Sequence, residues 1–302
     1  MSPFGSSHIL VSGVSGPIGT ALLPSLRSCG FQVVRLVRHA AGGADEIQWD
    51  PARPLAPAQV SGFDSVIHLA GETVVGRWTD GKKAKIRDSR RQGTHNLASA
   101  LAAAKERPRV LITASAVGYY GNRGDETLRE GSLPGAGFLA DVCREWEASS
   151  RPASQAGVRT VQIRTGVVLS PDGGALQKML PAFRLGVGGN MGSGRQWMSW
   201  IHVQDLVGAM HHILKSDLLH GPVNMVAPHP VTNAEFTKTL AAALSRPAMF
   251  PVPAFVAKLA FGQMAEEVLL YSQRVEPTKL ISSGYPFQYS GLRKALDAVL
   301  RG

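Results

Sequence analysis

The 302-residue chain is 44% hydrophobic and 18% charged, which is typical of a globular protein with a full core and excludes a disordered chain. Its net charge of +10 favours anionic ligands. The densest basic run, at 82–91, contains no aromatic residue on which a base could stack, so we do not expect a nucleic-acid partner. That run is either a solvated helix face or, in part, a cofactor contact.

No segment is typical of targeting, of a membrane span or of a disulfide framework. Residues 1–7 are too few and too polar for a signal peptide, and no apolar run approaches the ~20 residues of a spanning helix. Cys29 and Cys143 give neither a disulfide framework nor a metal-ligand spacing. We therefore expect a soluble, cytoplasmic protein with no membrane partner. The sequence contains no signal from which an oligomeric state could be predicted.

The most informative stretch runs from an apolar strand at 9–12 into a glycine-spaced turn and then into a helix. Gly13, Gly16 and Gly19 form the pattern Gly-x-x-Gly-x-x-Gly, which lets the backbone approach a phosphate and aims helix N–H groups at an anion. The spacing alone is a weak signal, but the strand before it and the helix after it are the context that a dinucleotide turn requires. Pro24, inside the helix, predicts a kink or an early end.

The second strand, at 32–37, ends at Arg38 where many dinucleotide folds carry an acidic residue. An acid there binds the ribose of NAD, whereas an arginine suits a 2′-phosphate. The sequence therefore favours NADP(H), the alternative being an ordinary exposed arginine. After a short strand at 47–49, Trp49 and Asp50 either flank the adenine or form a packed indole and a turn.

Strands at 65–69, 109–113 and 160–165 alternate with helices at 80–104 and 137–155, which predicts a parallel sheet covered by helices. Small residues follow the first of these strands and permit close backbone approach.

Polar side chains follow the strand at 109–113, where open α/β sheets bind ligands. Ser115 is either a hydroxyl of the site or a turn serine, and Tyr119 and Tyr120 are either acids of the site or core tyrosines. Three carboxylates either titrate in a pocket or lie on the surface, and a surface position is more typical of carboxylates. They are Glu72, Asp141 and Glu147.

Beyond residue 170 the alternation loosens. The glycine-rich stretch at 186–195 is either a mobile loop that closes on a ligand or a plain turn. His202 precedes a helix at 203–215 and is a candidate to face the pocket, while Asp205 is typical of a first helical turn. Thr232 and Glu235 predict a capping box.

The order of these motifs resembles the extended short-chain dehydrogenases/reductases. It comprises the glycine turn, Leu69-Ala-Gly71, Ser89-Arg-x-x-Gly-Thr94, Ser115 with Tyr-Tyr-Gly121, Arg164-Thr-Gly166 and Ile201-His-Val-x-Asp205. Motifs at 193–202, 227–236 and 246–253 narrow the resemblance to the atypical "epimerase family proteins" of the NAD-dependent epimerase/dehydratase type. It covers essentially the whole chain.

The resemblance implies a Rossmann-type doubly wound parallel sheet with a small, mostly helical C-terminal substrate lobe, and a bound NADP(H). The expected domains are 1–170, completed by returning segments near 203–230, and 171–302. The expected cofactor contacts are Gly13, Ser15, Gly16, Ile18, Gly19, Val37, Arg38, Asp50, Leu69, Ala70, Gly71, Glu72, Lys85, Arg90, Ser115 and Val167. The resemblance implies that the glycines contact the pyrophosphate and that Arg38 contacts the 2′-phosphate.

One part of the family pattern is missing. Short-chain dehydrogenases use Tyr-x-x-x-Lys on a helix, in which the ammonium lowers the tyrosine pKa. The corresponding helix carries Phe138 and, four residues later, Val142. The catalytic candidates that remain are Ser115, Tyr119 and Tyr120, and no metal is expected.

Two functions follow from these observations. The first is an NADP(H)-dependent oxidoreductase or epimerase-like enzyme that acts on a small carbonyl or sugar-like substrate. The second is a non-catalytic NADP(H)-binding redox sensor or scaffold, since the tyrosine and lysine are absent.

Overall fold

A computed structural model describes residues 7–301. Residues 1–6, which form most of the segment predicted to lack a signal peptide, lie outside the described residues, as does residue 302.

The described chain alternates short strands and helices. The strands are β1 His8–Ser12, β2 Gln32–Val37, β3 Glu46–Gln48, β4 Ser65–His68, β5 Val110–Ala116, β6 Thr127–Leu128, β7 Arg159–Thr165, β8 Val167–Leu169, β9 Trp197–Met198, β10 Trp200–His202, β11 Gly221–Met225, β12 Val231–Thr232 and β13 Arg274–Val275. The α-helices are α1 Pro17–Ser28, α2 Asp80–Ala103, α3 Phe138–Ala148, α4 Arg151–Gln155, α5 Gly174–Arg184, α6 Val203–Lys215, α7 Asn233–Ala243, α8 Ala254–Phe261, α9 Thr278–Ser282 and α10 Leu292–Arg301. Single turns of 3₁₀-helix cover Pro57–Gln59 and Val117–Tyr120, and Ala265–Leu270 is a π-helix.

Seven parallel strands form the main sheet in the order β11-β7-β5-β4-β1-β2-β3. Its inner strands are nearly continuous apolar runs because helices cover both faces. On one face Ile9 and Val11 pack against Leu22 of α1 and Met210 of α6. The order in which the strands are added to the sheet reverses between β1 and β4, so the crevice at their carboxyl ends is the expected ligand site of such a sheet. The predicted fold class is confirmed.

The C-terminal part packs around its own core, in which α7 and α10 cover Trp200 of β10. The short antiparallel pair β12-β9 lies within this lobe, and the parallel pair β13-β6 connects the lobe with a loop of the first part. Within the described residues, no helix has both the length and the apolar character needed to cross a membrane. Within the described residues, neither cysteine forms a disulfide bond. The domain boundaries at 170 and near 203–230 stay a prediction.

Three predicted boundaries differ from the structure. Helix α1 continues through Pro24 to Ser28, so an early end is wrong, although the missing amide still removes one hydrogen bond. The helix predicted at 137–155 is two helices, because Pro152 starts a new first turn in α4. Strand β5 extends to Ala116 and pairs with β7 as far as Thr165.

Asp205, in the first turn of α6 as predicted, ties the C-terminal segment to the sheet layer. Its carboxylate is 1% exposed and accepts the backbone N–H groups of Gln288 and Tyr289, both at 2.8 Å. The Tyr285 hydroxyl donates to the Asp205 carbonyl at 2.9 Å.

Asp205→Asn therefore replaces one acceptor oxygen by an N–H group that faces a backbone donor. We expect the free energy of unfolding to fall by about 2–4 kcal/mol, because a buried donor loses its partner. Chemical denaturation measures the change. Asp297→Asn, at an exposed i,i+4 pair with Arg293, is the matched control and should change stability by less than about 1 kcal/mol. Equal effects in the two variants would contradict the anchoring role.

His68, at the end of β4, is fully buried as a neutral imidazole. Its Nδ1 lies 2.6 Å from Ser12 Oγ, and its ring meets Trp49 edge-on at 5.7 Å. Burial lowers the pKa of His68 to about 4.

Because the folded-state pKa lies below the unfolded value, His68 stabilises the fold above about pH 6.5, and this stability is lost as the pH falls towards 4. The loss amounts to about 3 kcal/mol at most. Unfolding free energies of wild type and His68→Asn across this pH range should diverge, with the flatter profile in the variant. His95→Asn, at an exposed position on α2, should keep the wild-type slope. If the unfolding free energy of His68→Asn instead varied with pH in parallel with that of wild type, the result would contradict this explanation.

Candidate functional site

The glycine turn between β1 and α1 is packed backbone against backbone. Gly13 has φ +77°, and a Cβ there would lie 2.6 Å from the amide nitrogen of Ala70. A Cβ on Gly19 would lie 2.5 Å from the Gly13 carbonyl oxygen. The turn therefore requires glycine at both positions, and it brings the residues after β1 against Leu69 and Ala70 after β4.

The N-terminus of α1 is open to an anion. Gly16 is the N-cap residue and provides no side-chain cap, and the first turn contains no acidic residue. The first N–H groups of the helix thus keep their capacity to bind a negatively charged group, which the helix dipole favours. Ser15 beside them is exposed, and Ile18 packs against the core below.

The carboxyl end of β2 places a cation beside this turn. Val37 is buried, and Arg38 directly after it is exposed. No carboxylate among residues 7–301 forms an ion pair with the Arg38 guanidinium. Asp50, predicted near the adenine, instead caps its own turn: its carboxylate accepts the Ala52 N–H at 3.0 Å and pairs with Arg53 at 3.3 Å.

Glu72 and three cations gather on the same side. A hydrogen bond from Lys82 Nζ at 2.5 Å lowers the pKa of Glu72, partial burial opposes this, and the charges of Lys82, Lys85 and Arg38 add to the lowering. The Coulomb influence of Arg38 and Lys85 on one carboxylate shows that the end of β2 and the start of α2 form a common basic surface. Lys85 is exposed and free of ion pairs within the described chain.

Arg90 holds the loop after β4. Its guanidinium donates to the carbonyls of Glu72 at 2.8 Å and Ile86 at 3.0 Å, and it lies 4.8 Å above the Trp146 ring. Burial lowers the pKa of Arg90. A Cβ on Gly71 would be 3.4 Å from this guanidinium. Arg90 therefore shapes the backbone at 71–72 rather than projecting freely into the crevice.

Ser115 lies within β5, not beyond it as predicted. It is 4% exposed, and its hydroxyl donates to Glu147 Oε1 at 2.7 Å. Glu147 in turn binds Arg164 of β7 through two bonds of 2.8 Å. The Ser115 hydrogen is thus committed to a buried ion pair.

Tyr120 is fully buried, so the prediction of a free acid there needs correction. Its hydroxyl shares one hydrogen between Asn224 Oδ1 at 2.7 Å and the Arg129 carbonyl at 3.0 Å, and it accepts from Arg164. Burial raises the pKa of Tyr120 to about 12. The hydroxyl is therefore a structural group of the core, which was the alternative interpretation of the sequence.

Tyr119 differs from its neighbour. It is half-buried at the carboxyl end of β5, and the Arg164 guanidinium lies 3.5 Å from its ring centroid. Its hydroxyl has no hydrogen-bond partner among residues 7–301. Val167, predicted beside the nicotinamide, begins β8 and is half-buried, and the Gly166 before it lies against the Ser199 backbone.

The two α3 positions at which the family pattern predicts a tyrosine and a lysine, 138 and 142, are apolar. Phe138 packs with Trp78 at 5.1 Å and with Val142 and Met264. Glu267 of the π-helix, 5% exposed, accepts the N–H groups of Phe138 at 3.0 Å and Leu139 at 2.8 Å. This cap had no signal in the sequence, since the two residues are 129 positions apart.

The glycine-rich stretch at 186–195 is a packed connection. Gly192 N–H donates to the Val252 carbonyl at 2.9 Å, and Val252 N–H donates to the Asn190 carbonyl at 2.8 Å. Asn233 accepts the Met191 N–H at 2.8 Å. Of the two alternatives, the structure supports the turn. His202 likewise acts as a cap, accepting the Gln204 N–H at Nδ1.

Comparison with known proteins shows which protein family this chain resembles. Residues 9–225 match the model of the NAD dependent epimerase/dehydratase family, and residues 252–299 match a domain of unknown function, DUF1731. An epimerase family protein of Mycobacterium bovis is 42% identical over 290 residues, which is 95% of this chain and 96% of the relative.

Two solved structures are similar along the chain. Human epimerase family protein SDR39U1, crystallised with NADPH, is 35% identical with a TM-score of 0.90, covering 98% of this chain and 99% of that one. A nucleoside-diphosphate sugar epimerase from Corynebacterium glutamicum is 38% identical with a TM-score of 0.81, covering 98% of this chain and 58% of the longer protein. The family resemblance predicted from the motifs is thereby confirmed: this chain belongs to the NAD dependent epimerase/dehydratase family.

Proposed function

We propose that this protein binds NADP(H) along the carboxyl edge of β1, β2 and β4 and uses it as an epimerase-type oxidoreductase on a small carbonyl or sugar-like substrate. The observation that supports the cofactor most directly is the uncapped N-terminus of α1 behind Gly13, Gly16 and Gly19. Human SDR39U1, which was crystallised with NADPH, is similar over the whole of this region.

The predicted cofactor residues divide into backbone and side-chain contacts. The glycines, Ser15 and Ile18 surround the proposed pyrophosphate, and Leu69, Ala70 and Gly71 form the opposite wall by backbone. Arg38 and Lys85 supply unpaired positive charge for a 2′-phosphate, and Glu72 keeps Lys82 beside them. Val37, Asp50, Arg90, Ser115 and Val167 act through the shape and hydrogen bonds of the loops that hold them.

Arg38→Ala tests the 2′-phosphate contact. We expect the Kd for NADPH to rise about tenfold or more, because a charge-assisted hydrogen bond to phosphate is lost, while the Kd for NADH stays unchanged. Calorimetric titration with both nucleotides measures the difference. Arg53→Ala, at an exposed arginine that pairs with Asp50, is the matched control. An equal loss for NADPH and NADH would contradict the assignment.

Hydride transfer to a carbonyl needs a proton donor, and Tyr119 is the predicted candidate whose hydroxyl is unengaged. Its ring lies beside the permanently charged Arg164, which the Glu147 carboxylate fixes in place. Ser115 donates to Glu147 and so offers only oxygen lone pairs to a substrate hydroxyl. Together these groups place a donor and an acceptor at the end of β5.

Tyr119→Phe is expected to lower turnover by about 100-fold without changing the Kd for NADPH, since only the proton donor is removed. NADPH oxidation with a panel of aldehydes, ketones and nucleotide sugars is the measurement. Tyr271→Phe, at another half-buried tyrosine, is the control. Undiminished turnover in Tyr119→Phe would exclude this residue as the donor.

Phe138 and Val142 favour a second function, a non-catalytic NADP(H)-binding protein. They form part of an apolar cluster where the family's tyrosine and lysine would stand. The absence of NADPH oxidation with every compound of the panel, together with intact NADPH binding, would select this second function.

We infer a cytoplasmic protein from two cysteines that form no disulfide bond within the described residues, and we expect a small-molecule substrate and no nucleic acid. The division at residue 170 assigns the nucleotide to the first part and the substrate to the C-terminal lobe.

A further inference from the structure

Exposed large apolar side chains are concentrated in one part of the C-terminal lobe. We call this surface the apolar arm; its members are Leu185, Val187, Met249, Phe250, Phe255, Val256, Leu259, Phe261 and Val268. Exposed apolar residues that occur singly are ordinary, but a contiguous group marks an interaction surface.

Backbone contacts make the apolar arm continuous. Val187 forms a bridge with Ala248, and Phe250 N–H donates to the Gly188 carbonyl at 3.3 Å. The chain then enters α8, which contacts the π-helix that carries Val268. Residues distant in sequence thus form one surface.

Helix α8 is the most apolar part of this surface. Its sequence, Ala-Phe-Val-Ala-Lys-Leu-Ala-Phe, buries only Ala257, while Phe255 is 72% and Leu259 is 77% exposed. A helix that is hydrophobic on nearly all sides is normally covered. Within residues 7–301 nothing covers the outer side of α8.

Basic residues predominate around the apolar arm, and Glu266 of the π-helix is an acidic exception. The stretches 173–204 and 236–265 contain no acidic residue; their basic residues are Lys178, Arg184, Arg195, Lys238, Arg246 and Lys258. Arg184 and Arg246 are exposed, and neither pairs with a carboxylate in the described chain. Lys258 pairs with Glu266 of the π-helix at 3.2 Å.

We propose that the apolar arm docks on the surface of an anionic lipid bilayer. Phe255 and Leu259 enter the interface between headgroups and acyl chains, and Arg184 and Arg246 contact lipid phosphates. Such peripheral contact requires no spanning helix, and it departs from the expectation that the protein has no membrane partner. A second copy of this chain fits the surface less well, because it would bring two predominantly basic rims together and the acidic Glu266 already pairs with Lys258 of its own chain.

Vesicle sedimentation tests this proposal with the full chain. Wild type is expected to sediment with vesicles of phosphatidylcholine and phosphatidylglycerol in a roughly two-to-one mixture, and much less with pure phosphatidylcholine. The double variant Phe255→Ser, Leu259→Ser should bind the anionic vesicles at least about tenfold more weakly. Leu133→Ser, Leu218→Ser is the matched control, at positions 76% and 82% exposed, and should bind like wild type.

The charge contribution is tested separately by Arg184→Gln, Arg246→Gln, which should weaken binding and reduce its dependence on salt. Thermal unfolding and NADPH affinity should stay at wild-type values in all variants, which separates this proposal from the cofactor site. The proposal is overturned if wild type ignores anionic vesicles or if the α8 variant binds them equally. It is also overturned if light scattering shows a dimer that only the α8 variant dissociates, with no vesicle binding.

Discussion

The buried ion pair between Arg164 and Glu147 sets the geometry of the ligand-binding edge. Burial opposes the charge of Arg164, but its hydrogen bonds and Coulomb attraction to Glu147 outweigh this and raise its pKa. Removing one partner of such a pair would leave a buried charge uncompensated, at a cost of about 3–5 kcal/mol. The pair joins β7 to α3, and it reaches Ser115 of β5 and the Tyr120 hydroxyl. The residues that end the central strands are consequently fixed before any ligand arrives.

Nucleotide binding and chemistry depend on different parts of this edge. The glycine turn uses backbone alone, so its requirement is steric: Gly13 and Gly19 must lack a Cβ for the turn to reach Ala70. The side-chain positions of α3 carry no such constraint, and there Phe138 and Val142 fill an apolar cluster. The backbone of the glycine turn is therefore set independently of the side chains that α3 carries at 138 and 142.

The sequence predicts backbone features better than the state of side chains. Apolar runs and glycine spacing define β1, β2 and the turn between strand and helix, because they are local patterns. The end of β5 was placed three residues early, since Ala114, Ser115 and Ala116 lack the branched residues that typify strands, and their pairing with β7 is a tertiary effect. Tyr120 is buried by contacts with residues 44 and 104 positions away, which no local pattern reports. One signal was available: an arginine inside a central strand, as at position 164, needs a partner when it is buried, and Glu147 is that partner.

The contact between α3 and the π-helix explains why the C-terminal lobe lies where it does. Glu267 accepts two N–H groups at the start of α3 and also the Gln263 amide at 2.7 Å, so one carboxylate satisfies a helix N-terminus that lacks its own cap. A side chain on Gly137 would approach that carboxylate to 3.2 Å, and the positive φ of +115° there further favours glycine. Met264, just before the π-helix, packs on Phe138. The first turn of α3 thus binds the π-helix twice, through its backbone N–H groups to Glu267 and through the Phe138 ring to Met264, and so attaches this part of the C-terminal segment to α3.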